Sequence, residues 1–181
     1  MRKRAVVTGL GAVTPLGNDV PTYWAGLVAG RSGVGPISSY DASGEAVRIA
    51  GEVKDLDVVG LLGRKRARRT DSYSQAALIA ADQAVADAGL DFGSSDIRRN
   101  ASVVLGTAVG GITTQLHGAD VFRERGSRRV SALMVPMMMS NAAAGEISIR
   151  YGLHGKSMSV CAACATGTYA VGEAAGLIRR G

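Results

Sequence analysis

Residues 156–181, KSMSVCAACATGTYAVGEAAGLIRRG, hold both cysteines of a 181-residue chain. SMSV reads as a short apolar strand and ATGTYAVGEAAGLIRRG as a helix of small residues, with Cys161 and Cys164 at the junction. A strand that turns directly into a helix, repeated along a chain, builds a layered α/β fold with a largely parallel sheet. Two thiols at this spacing also invite a zinc or a dithiol reading. Zinc needs four ligands, and beyond this pair only the isolated His117 and His154 are available. A dithiol motif places its attacking cysteine first, at the helix start, whereas Cys161 still belongs to the strand and Cys164 occupies the turn. The spacing therefore favours one reactive thiol, Cys164, with Cys161 as a buried spectator. Backbone N–H groups and the positive helix end favour negative charge on that sulfur and on an oxyanion beside it. Ala163, Ala165 and Gly167 are small enough to let a carbonyl substrate approach the backbone. The pattern is a nucleophile elbow with cysteine in place of serine.

Upstream segments repeat the alternation. RAVVTGL predicts a first strand, and NDVPTYWAGLVAGRSG a helix with Asn18 or Asp19 as cap, Pro21 in its first turn and Gly30 near its stop. AVRIAGEV predicts a further strand. Asp71 is the expected cap of the strongest helix, SYSQAALIAADQAVADAG, where Ala77, Leu78, Ala81 and Val85 keep helical spacing until Gly89. ASVVLGT suits a buried parallel strand, AVGG a turn, and the segment from there to Arg129 is mixed. SNAAAGEISIRYG predicts a helix closing at Gly152. No internal repeat or linker interrupts the chain, so residues 1–181 read as one α/β unit without an internal boundary.

Composition narrows the classes of function. A 46% hydrophobic content with 25 Gly predicts a packed, loop-rich globule. No apolar run approaches the roughly 18 residues of a membrane span. Gly and Thr break the apolar stretch after the basic N-terminus and no cleavage site follows, so a cytoplasmic protein is expected. Two neighbouring cysteines cannot scaffold a domain of this size, which fits a reducing compartment. The net charge of +6 and pI near 9.7 imply an acidic partner. Aromatics are only 4% of the chain, which argues against nucleic acid, and the densest basic run, residues 64–69, suits an acidic protein instead. Gly9-Leu10-Gly11 fails as a dinucleotide fingerprint because Thr14 stands where a third glycine belongs; it reads as a structural turn. His117 and His154 lack spaced partners and read as surface residues or as supports behind other groups, rather than as ligands or bases. No metal and no cofactor are expected.

The segments SVCAACATGTYAVGEAAGLIRRG, RAVVTGLGAVTPLGN, RTDSYSQAALIAADQAVADAGL, GTAVGG and MVPMMMSNAAAGEISIRYGLHG carry a specific likeness. Over essentially its whole length the chain resembles β-ketoacyl-acyl carrier protein synthases, the elongating condensing enzymes of bacterial fatty acid synthesis, and their polyketide relatives. The resemblance implies a thiolase-like fold of two similar βαβαβ halves in five layers, a homodimer, and residues 1–181 as the N-terminal half. It implies that Cys164 accepts an acyl group from an acyl carrier protein as a thioester. A malonyl-carrier thioester then loses carbon dioxide, and the resulting carbanion attacks the acyl-enzyme to release a 3-oxoacyl carrier protein. The Cys164 N–H is expected in the oxyanion hole. Val109, the Gly110–Gly111 turn, Met134 and Ala163 are expected along the acyl channel, Met134 reaching it from the neighbouring subunit. Lys65, Arg68 and Arg69 are expected in the patch that meets the carrier protein. Ala162 departs from the Thr often found there, with Cys161 at a small-residue position. The family's two histidines and lysine for decarboxylation lie downstream, and no His follows His154. Residues 1–181 alone are therefore expected to form no 3-oxoacyl product. A non-condensing loading or partner subunit is the alternative within the family, and a CxxC thiol-disulfide protein the alternative outside it.

Overall fold

The structure, a computed structural model, describes residues 3–181. α1 (Val20–Val28) begins where Asp19 accepts a hydrogen bond from the Thr22 N–H and Pro21 sits in the first turn, so both start signals hold. β1 (Val34–Pro36) and β2 (Ile49–Gly51) form a small antiparallel ladder. α2 (Val58–Leu62) and α3 (Arg64–Ala67) are short turns leading to α4 (Ser72–Asp87), which Asp71 caps through the Tyr73 N–H. α5 (Ser95–Asn100), β3 (Val103–Gly106), α6 (Ile112–Arg125), α7 (Met134–Met138), α8 (Ala142–Tyr151), β4 (Ser157–Val160) and α9 (Thr166–Arg180) complete the order.

β3 and β4 pair in parallel, with Val103 opposite Ser157 and Gly106 opposite Val160. Successive side chains of a strand point to opposite faces. Val103 and Leu105 pack on the buried cluster of Leu62, Leu78, Ile79 and Ile147. Val104 instead faces a hollow shared with Ala174, Leu177 and Ile178 of α9, and Gly106 abuts Thr166. α4 and α8 therefore cover one face of the pair and α9 the other, which is why the strand sequence VVLG is apolar throughout.

α4 and α8 run parallel. The Tyr73 hydroxyl at the start of α4 donates to the Met139 carbonyl just before α8, and Asp82 meets Arg150 and Tyr151 at the far end. Ala143 and Ala144 are wholly buried, and their small side chains let the helices approach. Asp82 Oδ1 accepts from Arg150 Nε at 2.5 Å and from the Tyr151 hydroxyl. Burial, reinforced by that carboxylate, pushes the Tyr151 phenol up to about 12.

The expected first strand does not form a ladder among the described residues. Residues 9–12 lie along α4 instead, where the Leu10 N–H donates to Asp87 Oδ2 at 2.9 Å and the Ala12 N–H to Gln83 Oε1 at 3.0 Å. Gly9 and Gly11 permit this approach, since a Cβ there would come 2.1 Å from the Ala84 carbonyl oxygen and 1.9 Å from that of Ala80. Their role is structural, as the failed fingerprint implied. α4 is thus covered from two sides, and this explains alanines around most of its circumference. Two further expectations change. AVRIAGEV narrows to the three residues of β2, and the mixed segment before Arg129 contains the 14-residue α6.

Candidate active site

Both parallel strands release their chains at the same end. β3 exits into a turn in which Thr107 Oγ1 accepts from the Gly110 N–H at 3.1 Å and Gly110 takes φ +91°. β4 exits through Cys161 into a 3-10 turn over Ala163–Ala165 that runs straight into α9. The two exits are tied together, Thr107 N–H to the Val160 carbonyl at 3.2 Å and the Cys161 thiol to the Ala108 carbonyl at 3.2 Å.

Cys164 is exposed on this turn. Its N–H meets no acceptor among the described residues, whereas the N–H groups of Ala165 and Thr166 bond to the carbonyls of Ala162 and Ala163. Ala163, immediately before it, adopts φ +46°. A residue with a Cβ takes that left-handed conformation at a cost of roughly 1 kcal/mol or more, so the surrounding bonds must impose it. Thr166, 5% exposed, supplies two of them: its Oγ1 accepts from the Ala162 N–H at 2.8 Å and donates to the Ala163 carbonyl at 2.7 Å. An exposed thiol next to an unpaired N–H at the start of a 15-residue helix can attack a carbonyl and hold the resulting oxyanion.

Cys161 departs from expectation. It is exposed rather than buried, because β4 ends one residue earlier and its side chain leaves the sheet to reach the exit of β3. Val109 and the Gly110–Gly111 turn lie in that exit, Val109 59% exposed and next to the Ala108 carbonyl that Cys161 meets, the two glycines packed against Met137, Met138 and Ser140. Met134 opens α7 and packs its Sδ over Gly118 of α6, lining a cavity of about 250 Å³ with Arg68, His117 and Met137. Cys164 does not line that cavity. The basic run is itself α3 and its exit rather than a bare approach to α4. Lys65, Arg68 and Arg69 line an open groove of about 540 Å³ with Arg64 and Leu133. Arg68 thus borders both hollows, placing the basic patch next to Met134.

Two contributions escaped the sequence reading, the first of them a second role for Asp71 beyond the expected cap. Asp71, 4% exposed, caps α4 with one oxygen, and with the other accepts from the Thr114 N–H at 2.8 Å and hydroxyl at 2.6 Å at the start of α6. It locks the residue that follows the basic segment to the helix that follows the β3 exit. Thr166 is the other, and its bond to a carbonyl three residues back is a habit of Ser and Thr that a helix-start threonine advertises. Among the described residues no three His, Cys, Asp or Glu side chains gather as a metal site, and no helix is long and apolar enough to cross a membrane.

A cysteine elbow at the carboxyl ends of parallel strands, with helices layered on both faces, defines a thiolase-like unit. The chain belongs to the beta-ketoacyl synthase family, whose N-terminal domain model matches residues 2–181. It is 41% identical to the 3-oxoacyl-[acyl-carrier-protein] synthase 2 of Synechocystis over 99% of its length, and 38% identical to the enzyme of that name from Staphylococcus aureus, also over 99%. In both cases it spans 43% of the length of the relative. Among solved structures it is similar to the ishigamide ketosynthase/chain length factor, with TM-score 0.89 and 29% identity, covering 99% of this chain and 45% of that one. A beta-ketoacyl synthase from Burkholderia phymatum matches with TM-score 0.81 and 29% identity, over 100% of this chain and 44% of that one.

Proposed function

We propose that residues 1–181 form the N-terminal half of a 3-oxoacyl-acyl carrier protein synthase and supply its acyl-accepting nucleophile. The observation that carries the reading is the elbow: an exposed Cys164 beside a free N–H on a strained turn, in a chain of the beta-ketoacyl synthase family. The Cys164 thiolate attacks the carbonyl carbon of an acyl-carrier thioester, and the carbonyl oxygen takes up negative charge against the Cys164 N–H. Collapse of that intermediate re-forms the carbonyl and expels the carrier thiolate, which takes up a proton, and leaves the acyl group on Cys164. Loss of carbon dioxide from a malonyl-carrier thioester gives a carbanion that attacks this acyl-enzyme, and the Cys164 thiolate leaves. Groups outside residues 1–181 polarise the malonyl thioester in this reading, so these residues alone form no 3-oxoacyl product.

Val109, Ala163 and Met134 shape the acyl channel, Met134 from a second copy in a cytoplasmic homodimer. Lys65, Arg68 and Arg69 receive the acidic carrier protein. The groove beside α3 supports that role, because Lys65, Arg68 and Arg69 make no ion pair among the described residues. Neither a non-condensing partner nor a thiol-disulfide protein is favoured by relatives named as synthases. Incubating the complete enzyme with an acyl-carrier thioester and mapping the product by mass spectrometry tests the reading. An acyl group on the peptide containing Cys164, absent from Cys164→Ala, is expected; acyl transfer to Cys161, or none at all, overturns it.

A further inference from the structure

We infer that Thr166 is the positioning residue that aims the Cys164 N–H, an inference that rests on the reading of Cys164 as the acyl-accepting nucleophile. The Ala163 carbonyl and the Cys164 N–H belong to one peptide group. That group is planar, and no cis peptide occurs among the described residues, so the N–H points opposite to the C=O. Whatever fixes the direction of the Ala163 carbonyl therefore fixes the direction of the oxyanion donor.

Thr166 fixes it. Its hydroxyl donates to that carbonyl at 2.7 Å while accepting from the Ala162 N–H at 2.8 Å, so one oxygen binds the residues on both sides of the Ala162–Ala163 peptide link. The Thr166 N–H donates to the same carbonyl. Together these bonds hold Ala163 at φ +46° and turn its carbonyl toward the buried start of α9, which leaves the Cys164 N–H aimed away from the helix. Thr166 is itself immobilised. It is 5% exposed, and its methyl and backbone lie so close to Gly106 that a Cβ there would come 2.3 Å from Cγ2 and 2.6 Å from the carbonyl oxygen. The end of β3 thus braces the residue that braces the elbow. Thr166 touches no substrate, because it is buried beneath the turn.

The test compares two reactions of Cys164 in the complete enzyme. Acyl transfer from an acyl-carrier thioester develops an oxyanion, whereas alkylation by iodoacetamide does not. Thr166→Val keeps the shape and removes the hydroxyl; Thr166→Ser keeps the hydroxyl. T166V is expected to lower the first-order constant for acyl transfer about 10- to 100-fold, the range for a misplaced oxyanion donor, with half-saturation by the donor little changed. Alkylation of T166V stays near the wild-type rate, and T166S restores acyl transfer. Should T166V fail to fold, T166A and T166S carry the comparison, since neither can clash. Wild-type acyl transfer in T166V or T166A overturns the inference. So does T166S as slow as T166V, which leaves only methyl packing, or alkylation falling in step with acylation, which points to access to the thiol. Acylation of wild type at a residue other than Cys164 would sink the underlying reading as well, and it would show before any threonine variant is made.

Discussion

Asp71 shows how much one buried carboxylate can be asked to do. It caps α4, seats the first turn of α6 through two bonds to Thr114, and stands two residues after the basic run ends at Arg69. Asp71→Ala removes a helix cap and leaves the Thr114 hydroxyl and N–H without their partner in a partly buried setting. A loss of roughly 3 kcal/mol is expected, from a cap worth about 1 and charge-assisted bonds worth about 2 together. Urea unfolding measures it, and a change under 1 kcal/mol would show that the second cap contributes little. At the elbow, Cys161→Ser should leave acyl acceptance intact, because the hydroxyl can still donate to the Ala108 carbonyl and takes no part in attack. Rapid-quench acylation of C161S that falls tenfold would make Cys161 part of the chemistry.

Where an element is declared by its own residues, the sequence was a sufficient guide. Asp71 and Gly89 bracket α4, SMSV is β4 to the residue, and Gly152, with φ +62°, stops α8 in the left-handed conformation expected of it. Where partners decide, it was not. RAVVTGL has the composition of a strand, yet its last residue, Leu10, meets the side chain of Asp87 rather than a neighbouring ladder, and Ala12 just beyond it meets Gln83. α6 hides behind a polar sequence with Gly118 in its middle, a residue that only the seating of Met134 Sδ explains. The seat of Cys164 on the turn between β4 and α9 was legible; the thiol of Cys161 at the surface was not, since β4 ends before it. The seam between α4 and α8 gives a prediction of its own. The Tyr151 phenol is raised from 10.0 to about 12, chiefly by burial and then by Asp82, so its protonated form stabilises the fold. That contribution is complete below pH 10 and is lost as pH rises through about 12. The stability gap between wild type and Tyr151→Phe should shrink across this window in alkaline denaturation curves; a constant gap would mean that the phenol does not titrate with unfolding.

The charge of the molecule is unevenly placed, and the groove formed by Arg64, Lys65, Arg68 and Arg69 against Leu133 is its most concentrated cationic hollow among those described. Exposed charges act mainly on encounter, so K65E/R68E/R69E should cut acyl transfer from carrier-bound donors about tenfold or more at low salt, with the deficit narrowing as salt rises. Small soluble thioesters should react as before. Equal loss with both kinds of donor would make the basic segment part of the scaffold. The left-handed Ala163 sets a different tension across the fold as a whole. Glycine adopts that conformation without penalty, so Ala163→Gly should raise the melting temperature by a few degrees while slowing acyl transfer, because glycine also admits other orientations of the peptide that compete with the one the Thr166 bonds hold. A breeder selecting only for heat tolerance would welcome that glycine and discard turnover unawares, whereas selection for turnover keeps the methyl and tolerates a slightly less robust protein.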